Sequence, residues 1–350
     1  MKILEKILLD HWQKKNPFLC LLLAPLAVLF NAITCIRRLL YRYGVLTQYS
    51  LPVPVIVVGN IQVGGSGKTP VVIYLARALQ ERGFRVGIIS RGYGGTAKEP
   101  TLIEEDSQAA VCGDEPILLA QKSRLPVVVA RKKVRAAQFL FQSTAPDVIL
   151  SDDGLQHYAL KRDLEIVVFP YVALSQNSSL LPNGPWREGL KRLQKAQFVL
   201  IAKIPLEKKL DKKVVANKLK ISASKIFFLN THVGPLYPFG HPETSVTAHD
   251  LPAGPVAAAC AIGEPQDFFT TLQKIGIFPQ VTLSYRDHTQ LPLEKIRQRY
   301  PCVIITEKDA VKYTKLEIKG VYVLAIDVTP ESTFLPQLIQ KLDRLGSARK

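Results

Sequence analysis

From residue 51 onward the chain alternates two kinds of apolar pattern. Short, nearly continuous runs rich in Val, Ile and Leu fall at 53–58, 86–89, 127–130, 148–150, 165–169 and 198–202. Between several of them, apolar positions recur at helical spacing, at 70–81, 115–123 and 132–141. An unbroken apolar run of this length is a strand buried on both faces, and helical spacing marks an element with one face on the sheet. The alternation predicts an α/β fold with a mostly parallel sheet flanked by helices. A basic helical stretch at about 206–219, a strand at 226–229 and a Pro- and Gly-rich passage at 234–255 follow, the last reading as a linker. Strands at 256–262, 281–284, 303–306 and 321–326, with helices at 266–275 and from 331, then predict a second, smaller α/β domain. The linear division is 1–50 for an N-terminal segment, 51–233 for the larger domain and 234–350 for the smaller one.

The N-terminal segment has a different pattern. Residues 18–36 form the longest apolar run, interrupted only by Pro25, Asn31 and Thr34. Lys14 and Lys15 precede it; Arg37, Arg38 and Arg42 follow. On a helix, Cys20, Ala24, Ala27, Asn31, Thr34 and Arg38 share one stripe, and Leu19, Leu22, Leu23, Leu26, Phe30 and Ile33 cover most of the rest. Small residues on one side suit packing against the protein, and a bulky side between cationic flanks suits the boundary of an anionic membrane. Contact with a membrane surface is the expectation; a buried core helix and a full span are the alternatives.

Charge adds a constraint. The 46 Lys and Arg against 29 Asp and Glu give a formal charge of +17, which favours polyanionic or phosphorylated partners. With 47% apolar residues the chain is neither disordered nor low-complexity. Five dispersed cysteines without C-x-x-C spacing exclude a disulfide framework and a zinc ribbon, and predict buried free thiols in a reducing cytoplasm.

The most specific signal is VVGNIQVGGSGKTP at 57–70. A predicted strand feeds a turn containing Gly64, Gly65, Ser66 and Gly67, then Lys68 and Thr69 at the start of a predicted helix. Glycines let successive backbone N–H groups point at phosphate oxygens, the helix N-terminus adds positive dipole, and a Lys reaches the β- and γ-phosphates. The Thr69 hydroxyl is positioned to ligate Mg²⁺. Gln62 stands where the strict pattern has glycine. The loop predicts binding of a nucleoside triphosphate in a P-loop NTPase-like fold. Such sites also need a carboxylate at the end of a neighbouring strand to hold Mg²⁺. Asp152 and Asp153, in SDDGLQH after the 148–150 strand, are the candidates. SRGYGG at 90–95 follows the second strand, at the edge where α/β sheets bind ligands. Asp114, in GDEP, falls at a helix start and reads on its own as an N-cap.

These motifs, with WREG, RDHT and TEKDAVK further on, occur in an order that resembles the tetraacyldisaccharide 4'-kinase family, over about 53–312. The resemblance implies an ATP- and Mg²⁺-dependent lipid kinase. Such an enzyme phosphorylates the 4'-hydroxyl of a membrane-embedded, tetraacylated glucosamine disaccharide 1-phosphate, in lipid A biosynthesis, at the cytoplasmic face of the bacterial inner membrane. It implies Lys68 and Thr69 as the nucleotide and Mg²⁺ pair, Asp114 as the base for the sugar hydroxyl and His288 as the residue that orients and tunes it. Asp152 and Asp153 fall near Mg²⁺ and the phosphates, and Arg187 and Glu188 form an Arg–Glu pair near the site. In the linear division Asp114 and His288 belong to different domains. The chain departs from the family pattern at Thr289, where a second histidine is common, and at Glu264, where asparagine is common.

Two other functions fit parts of the sequence. A P-loop ATPase acting on nucleic acid suits the charge, but no RNA-binding signature or helicase-like motif accompanies it, and nucleic acid is not an expected partner. A regulatory GTPase switch would need an N/T-K-x-D motif at the sheet edge. TEKD at 306–309 looks similar but lies in the second domain.

Overall fold

A computed structural model describes residues 2–175, 179–205, 207–313 and 318–347. The sheet strands are mostly parallel and flanked by helices, and two compact units interleave along the chain. One unit combines Met1–Lys68, Asp147–Asn230 and Pro330–Lys350; the other combines Thr69–Pro146 and Thr231–Thr329. Each unit thus draws on both stretches that the linear division separates, and Asp114 and His288 fall in the same unit.

In the first unit Val55–Gly59 lies between Val148–Ser151 and Leu164–Pro170, which is followed by Phe198–Ala202 and the start of Ile226–Pro238, all parallel. Val57 is in register with both Ser151 and Glu165. Every residue of the first four of these strands is buried, which is why their sequences are apolar without alternation. Phe198 and Phe227 pack on Phe334 of the terminal helix Phe334–Ser347, with ring centroids 5.2 and 5.4 Å from it. Burying such rings contributes about 2–3 kcal/mol each. Glu165 interrupts the apolar pattern and is neutralised within the core by Arg192 at 2.7 Å.

Helix Pro17–Arg42 belongs to this unit. Asn16 caps it by accepting from the N–H groups of Phe18 and Leu19, and Pro17 occupies the first turn, where its missing N–H costs nothing. None of its residues is buried, which rules out the core-helix alternative. Cys20, Ala24, Ala27, Thr34 and Arg38 are half-buried as expected of the small-residue stripe, but so are Leu19, Leu23 and Phe30, while Asn31 is exposed. Leu21, Leu22, Leu26, Leu29 and Ile33 are all more than half exposed. The preceding helix, Lys2–Gln13, has no counterpart in the sequence expectations.

In the second unit Val86–Ser90 pairs in parallel with Val127–Val129, which carries Thr101–Leu102 as an antiparallel partner. A further parallel set runs Val281–Ser284, Val256–Cys260, Cys302–Thr306, Val321–Pro330. Its residues alternate between two cores: Ala257, Ala259, Val303 and Ile305 face one, and Ala258, Cys260, Cys302 and Ile304 the other. The strand expected at 226–229 is longer and takes up the start of the passage expected as a linker, 234–238. Ile226–Pro238 continues through residue 238, because Leu236 and Phe239 are buried in those two cores. The basic helix is confined to Lys212–Leu219; residue 206, its expected start, lies outside the described residues. All five cysteines are free; Cys112, Cys260 and Cys302 are buried as expected, whereas Cys20 and Cys35, on helix Pro17–Arg42, are only half-buried.

Candidate active site

The phosphate loop leaves the end of Val55–Gly59 and enters helix Lys68–Gln80. Gly64 and Gly67 have φ of +111° and +82°, the left-handed region that lets the loop curl. Gly65 separates Gly64 from Ser66, whose hydroxyl is buried with no hydrogen-bond partner in the protein, as expected of a group facing a bound polar ligand. Pro70 falls in the first helical turn, where N–H groups have no intrahelical acceptor.

Beside Lys68 the first unit places Asp153 and, on it, Arg187. Lys68 Nζ lies 3.6 Å from Asp153 Oδ1, and Arg187 Nη1 lies 3.3 Å from Asp153 Oδ2. Asp153 follows the Val148–Ser151 strand with φ +43°, a conformation that Asp tolerates better than most residues. Gly154 follows because a Cβ there would meet the Ser151 side chain and Val57. Asp152 is buried beside it. The backbone N–H groups of Arg187 and Glu188 both donate to the Ile61 carbonyl, at 2.8 and 3.2 Å, which fixes WREG against the loop.

Glu188 is enclosed. Gln156 donates to its Oε1 at 3.0 Å and Tyr158 to its Oε2 at 2.6 Å, and Arg192 and Arg38 lie 3.4 and 3.6 Å from it. Burial and then the Glu188 charge push the Tyr158 hydroxyl up to about 12, so it stays a donor. The same Gln156 amide donates to the Asn60 carbonyl at 3.0 Å. Glu188 therefore braces the base of the phosphate loop, with both oxygens engaged internally.

The second unit holds the remaining pair. Gly113, at φ +90°, occupies the cap of helix Asp114–Ser123, and a Cβ on it would collide with the Tyr93 carbonyl of SRGYGG. Asp114 is accordingly the first helical residue and not the N-cap. Its side chain is 5% exposed, and Oδ2 and Oδ1 lie 2.9 and 3.0 Å from His288 Nδ1. His288 has φ +64°, a strained conformation for a residue with a Cβ. The Asp287 carboxylate accepts its N–H at 3.0 Å. The Tyr93 ring packs on the imidazole at 5.2 Å between centroids. Burial pushes the Asp114 carboxyl up, but the hydrogen bond from His288 and the charges of Lys308, His288 and Lys312 outweigh it, and the net shift is downward. The hydrogen bond to Asp114 raises the His288 imidazole against burial and Lys308. Opposed shifts of this kind favour a carboxylate hydrogen-bonded to an imidazole that readily holds a proton.

Lys308 and Lys312 stand beside this pair, yet the sequence reading gave neither a role. Lys308 lies in the four-residue helix Glu307–Ala310 and Lys312 just past its end, a helix too short for any periodicity to reveal. Asp309, the would-be base-reading residue of TEKD, is fully buried. It accepts from the Ala261 N–H with both oxygens, from the Thr306 hydroxyl at 2.7 Å and from Lys312 at 2.7 Å. That leaves it no face for a guanine base and removes the support for a GTPase switch.

A family model described as tetraacyldisaccharide-1-P 4'-kinase (LpxK) matches residues 19–343. The tetraacyldisaccharide 4'-kinase of Shewanella sp. (strain ANA-3) is 39% identical over 97% of this chain and 96% of its own length. That of Neisseria meningitidis serogroup C is 37% identical over 97% and 96%. A crystal structure of LpxK from Aquifex aeolicus in complex with ATP matches with a TM-score of 0.76 at 29% identity, covering 93% of this chain and 99% of that one. A match along almost the whole chain, with the phosphate loop and the Asp114–His288 pair in place, means that the chain belongs to the tetraacyldisaccharide-1-P 4'-kinase family.

Proposed function

We propose that this chain transfers the γ-phosphoryl group of ATP to the 4'-hydroxyl of a tetraacylated glucosamine disaccharide 1-phosphate, a step of lipid A biosynthesis. The observation that carries this reading is the buried Asp114 carboxylate held 2.9 Å from His288 Nδ1. Phosphoryl transfer asks a protein for positioning and charge neutralisation more than for covalent chemistry. The sugar oxygen attacks the γ-phosphorus, the bond to the β,γ-bridging oxygen breaks, and Asp114 takes the hydroxyl proton as the new bond forms. His288 orients the carboxylate and shares the incoming proton. Lys68 and the N–H groups of 64–69 neutralise the triphosphate. Arg187 holds Asp153, and Glu188 holds the loop's base.

The oxygen donors of Thr69, Asp152 and Asp153 suit a hard cation such as Mg²⁺, which takes few protein carboxylates and completes its shell with phosphate and water. When bound, Mg²⁺ supplies charge neutralisation of the phosphate oxygens. In this reading residues 1–50 bring the chain to the anionic cytoplasmic face of the inner membrane, where the glycolipid is embedded. Residues 51–233 supply the phosphate loop, and 234–350 supply His288. The exposed Leu and Ile side of Pro17–Arg42 between cationic flanks supports this, and it favours interfacial seating, with the small-residue side on the protein.

The test is transfer of label from γ-labelled ATP to detergent-dispersed disaccharide. Labelled lipid is the expected product. Hydrolysis stimulated only by RNA or DNA, or strict preference for GTP, would replace the reading by one of the two rivals.

A further inference from the structure

The TEKDAVK segment places two lysines against the Asp114–His288 pair, and the reaction as described uses neither. Lys308 Nζ lies 3.2 Å from Glu115 Oε1 and 3.2 Å from Asp287 Oδ1. Glu115 is the residue after Asp114, and Asp287 the residue before His288. One ammonium therefore joins the base's helix to the histidine's loop. Lys312 makes a second join one step further along. Its Nζ lies 3.9 Å from Asp114 Oδ2 and donates to the Thr289 carbonyl at 3.1 Å and to the Ala261 carbonyl at 3.4 Å. Asp309 holds that ammonium at 2.7 Å and is itself fixed by Thr306 and Ala261. The Lys312 side chain is 6% exposed.

The join has a reason to exist. His288 is held in the left-handed region, which costs about 1–2 kcal/mol for a residue with a Cβ. Left alone, such a loop relaxes and withdraws the imidazole. The Asp114 hydrogen bond opposes that relaxation from one side, and the lysine contacts on Asp287 and Thr289 oppose it from the other.

We propose that Lys308 and Lys312 are positioning residues for the phosphoryl-acceptor base: they lock the His288 loop onto the Asp114 helix and keep a positive field on the pair. This rests on Asp114 being the base. The charged and titratable groups around the pair are Glu115 on its own helix, Asp287 on the loop, Tyr93 over the imidazole, and Lys308, Asp309 and Lys312 from the 307–312 segment. Lys308 is the cleaner probe because it and its partner carboxylates are half-buried, whereas Lys312 and Asp309 are enclosed.

The experiment compares Lys308→Met, Lys308→Arg, Glu115→Gln and Lys312→Met with the intact chain, using labelled ATP and dispersed disaccharide from pH 3 to 9. Lys308→Met lowers kcat roughly tenfold, leaves KM for ATP within about twofold, and moves the acid limb of kcat/KM up by roughly half to one pH unit, since a lost cation makes the carboxylate easier to protonate. Lys308→Arg restores the limb. Glu115→Gln removes a neighbouring negative charge and moves it down. Lys312→Met shifts the limb in the same direction as Lys308→Met. If Lys312→Met does not fold, the Lys308 and Glu115 variants decide alone. A limb that stays in place in Lys308→Met, or that moves the same way in Lys308→Met and Glu115→Gln, overturns the proposal. Asp114→Asn separates the two readings. If it keeps full activity, the base assignment itself fails. If it is inactive while Lys308→Met matches the intact chain, only the lysine proposal fails.

Discussion

Replacing Asp114 by Asn tests the chemistry with little change of shape. The amide keeps the volume of the carboxylate, and its oxygen still accepts the Glu115 N–H, a bond of 2.9 Å in the intact protein. What disappears is the ability to take a proton and the charge-assisted bond with His288. A positioned general base contributes about 10²–10⁴ in rate, so kcat falls roughly 10²-fold or more. Lys68, Asp153 and the glycine turn are unchanged, and KM for ATP stays within about threefold. Stability falls by about 1–3 kcal/mol, the worth of a hydrogen bond to a charged group. Lys312 keeps its ion pair with Asp309, which limits the loss.

The pH dependence of that loss follows from the two shifts. Asp114 is lowered from 3.8, so its contribution is present above that value and fades as pH falls through the lower folded value. His288 is raised from 6.5, so its contribution is complete below that value and fades as pH rises through the higher folded one. The gap in Tm between the intact chain and Asp114→Asn is therefore widest between about pH 4 and 6.5 and narrows on both sides. Label transfer to lipid measures kcat, and differential scanning fluorimetry across pH measures the gap. A loss of kcat below about fivefold refutes the base assignment, as does a fall in ATP affinity that matches the fall in kcat.

Other perturbations separate the remaining roles. Lys68→Ala abolishes productive ATP engagement, and normal steady-state kinetics in that variant would remove the phosphate-loop assignment. Leu21→Glu with Leu29→Glu, two exposed positions, weakens binding to anionic vesicles at least tenfold without changing Tm, since each side chain inserted in an apolar phase is worth about 2 kcal/mol. Equal co-sedimentation of the variant and the intact chain contradicts interfacial seating of this helix. Glu188→Gln strands Arg192 with Glu165 alone inside the core and lowers stability by about 2–4 kcal/mol. A large loss of kcat at unchanged Tm would instead give Glu188 a direct part in the reaction.

The parallel strands were legible because burial on both faces leaves no alternation: Val55–Gly59 and Phe198–Ala202 are buried along their whole length. The elements that escaped are those whose stability is tertiary. Ile226–Pro238 continues through Gly234 and Pro235, residues that mark a loop by propensity. It remains a strand because Leu236 enters the core beside Ala258 and Phe268, and packing overrides propensity. Thr101–Leu102 and Glu307–Ala310 are too short for any period.

The site divides on the same physical line. Glycines and a lysine in the phosphate loop act through the local backbone, so their spacing alone announces them. Asp114 acts through a residue 174 positions away, and by itself its sequence context is that of a helix cap. Its proposed chemistry depends on the company that folding brings: an imidazole held in a strained loop and two ammonium groups from the 307–312 segment. Glu188 shows the converse. The resemblance made it one of an Arg–Glu pair near the site, and Gln156, Tyr158, Arg192 and Arg38 surround it. Glu188's partners tie it to the phosphate-loop base and to the Arg192 core, whereas Asp114's oxygens meet one imidazole and the Glu115 N–H of its own helix, with lysines beside them. The difference between Glu188 and the proposed base lies in those partners, and neither residue's neighbours in sequence encode it.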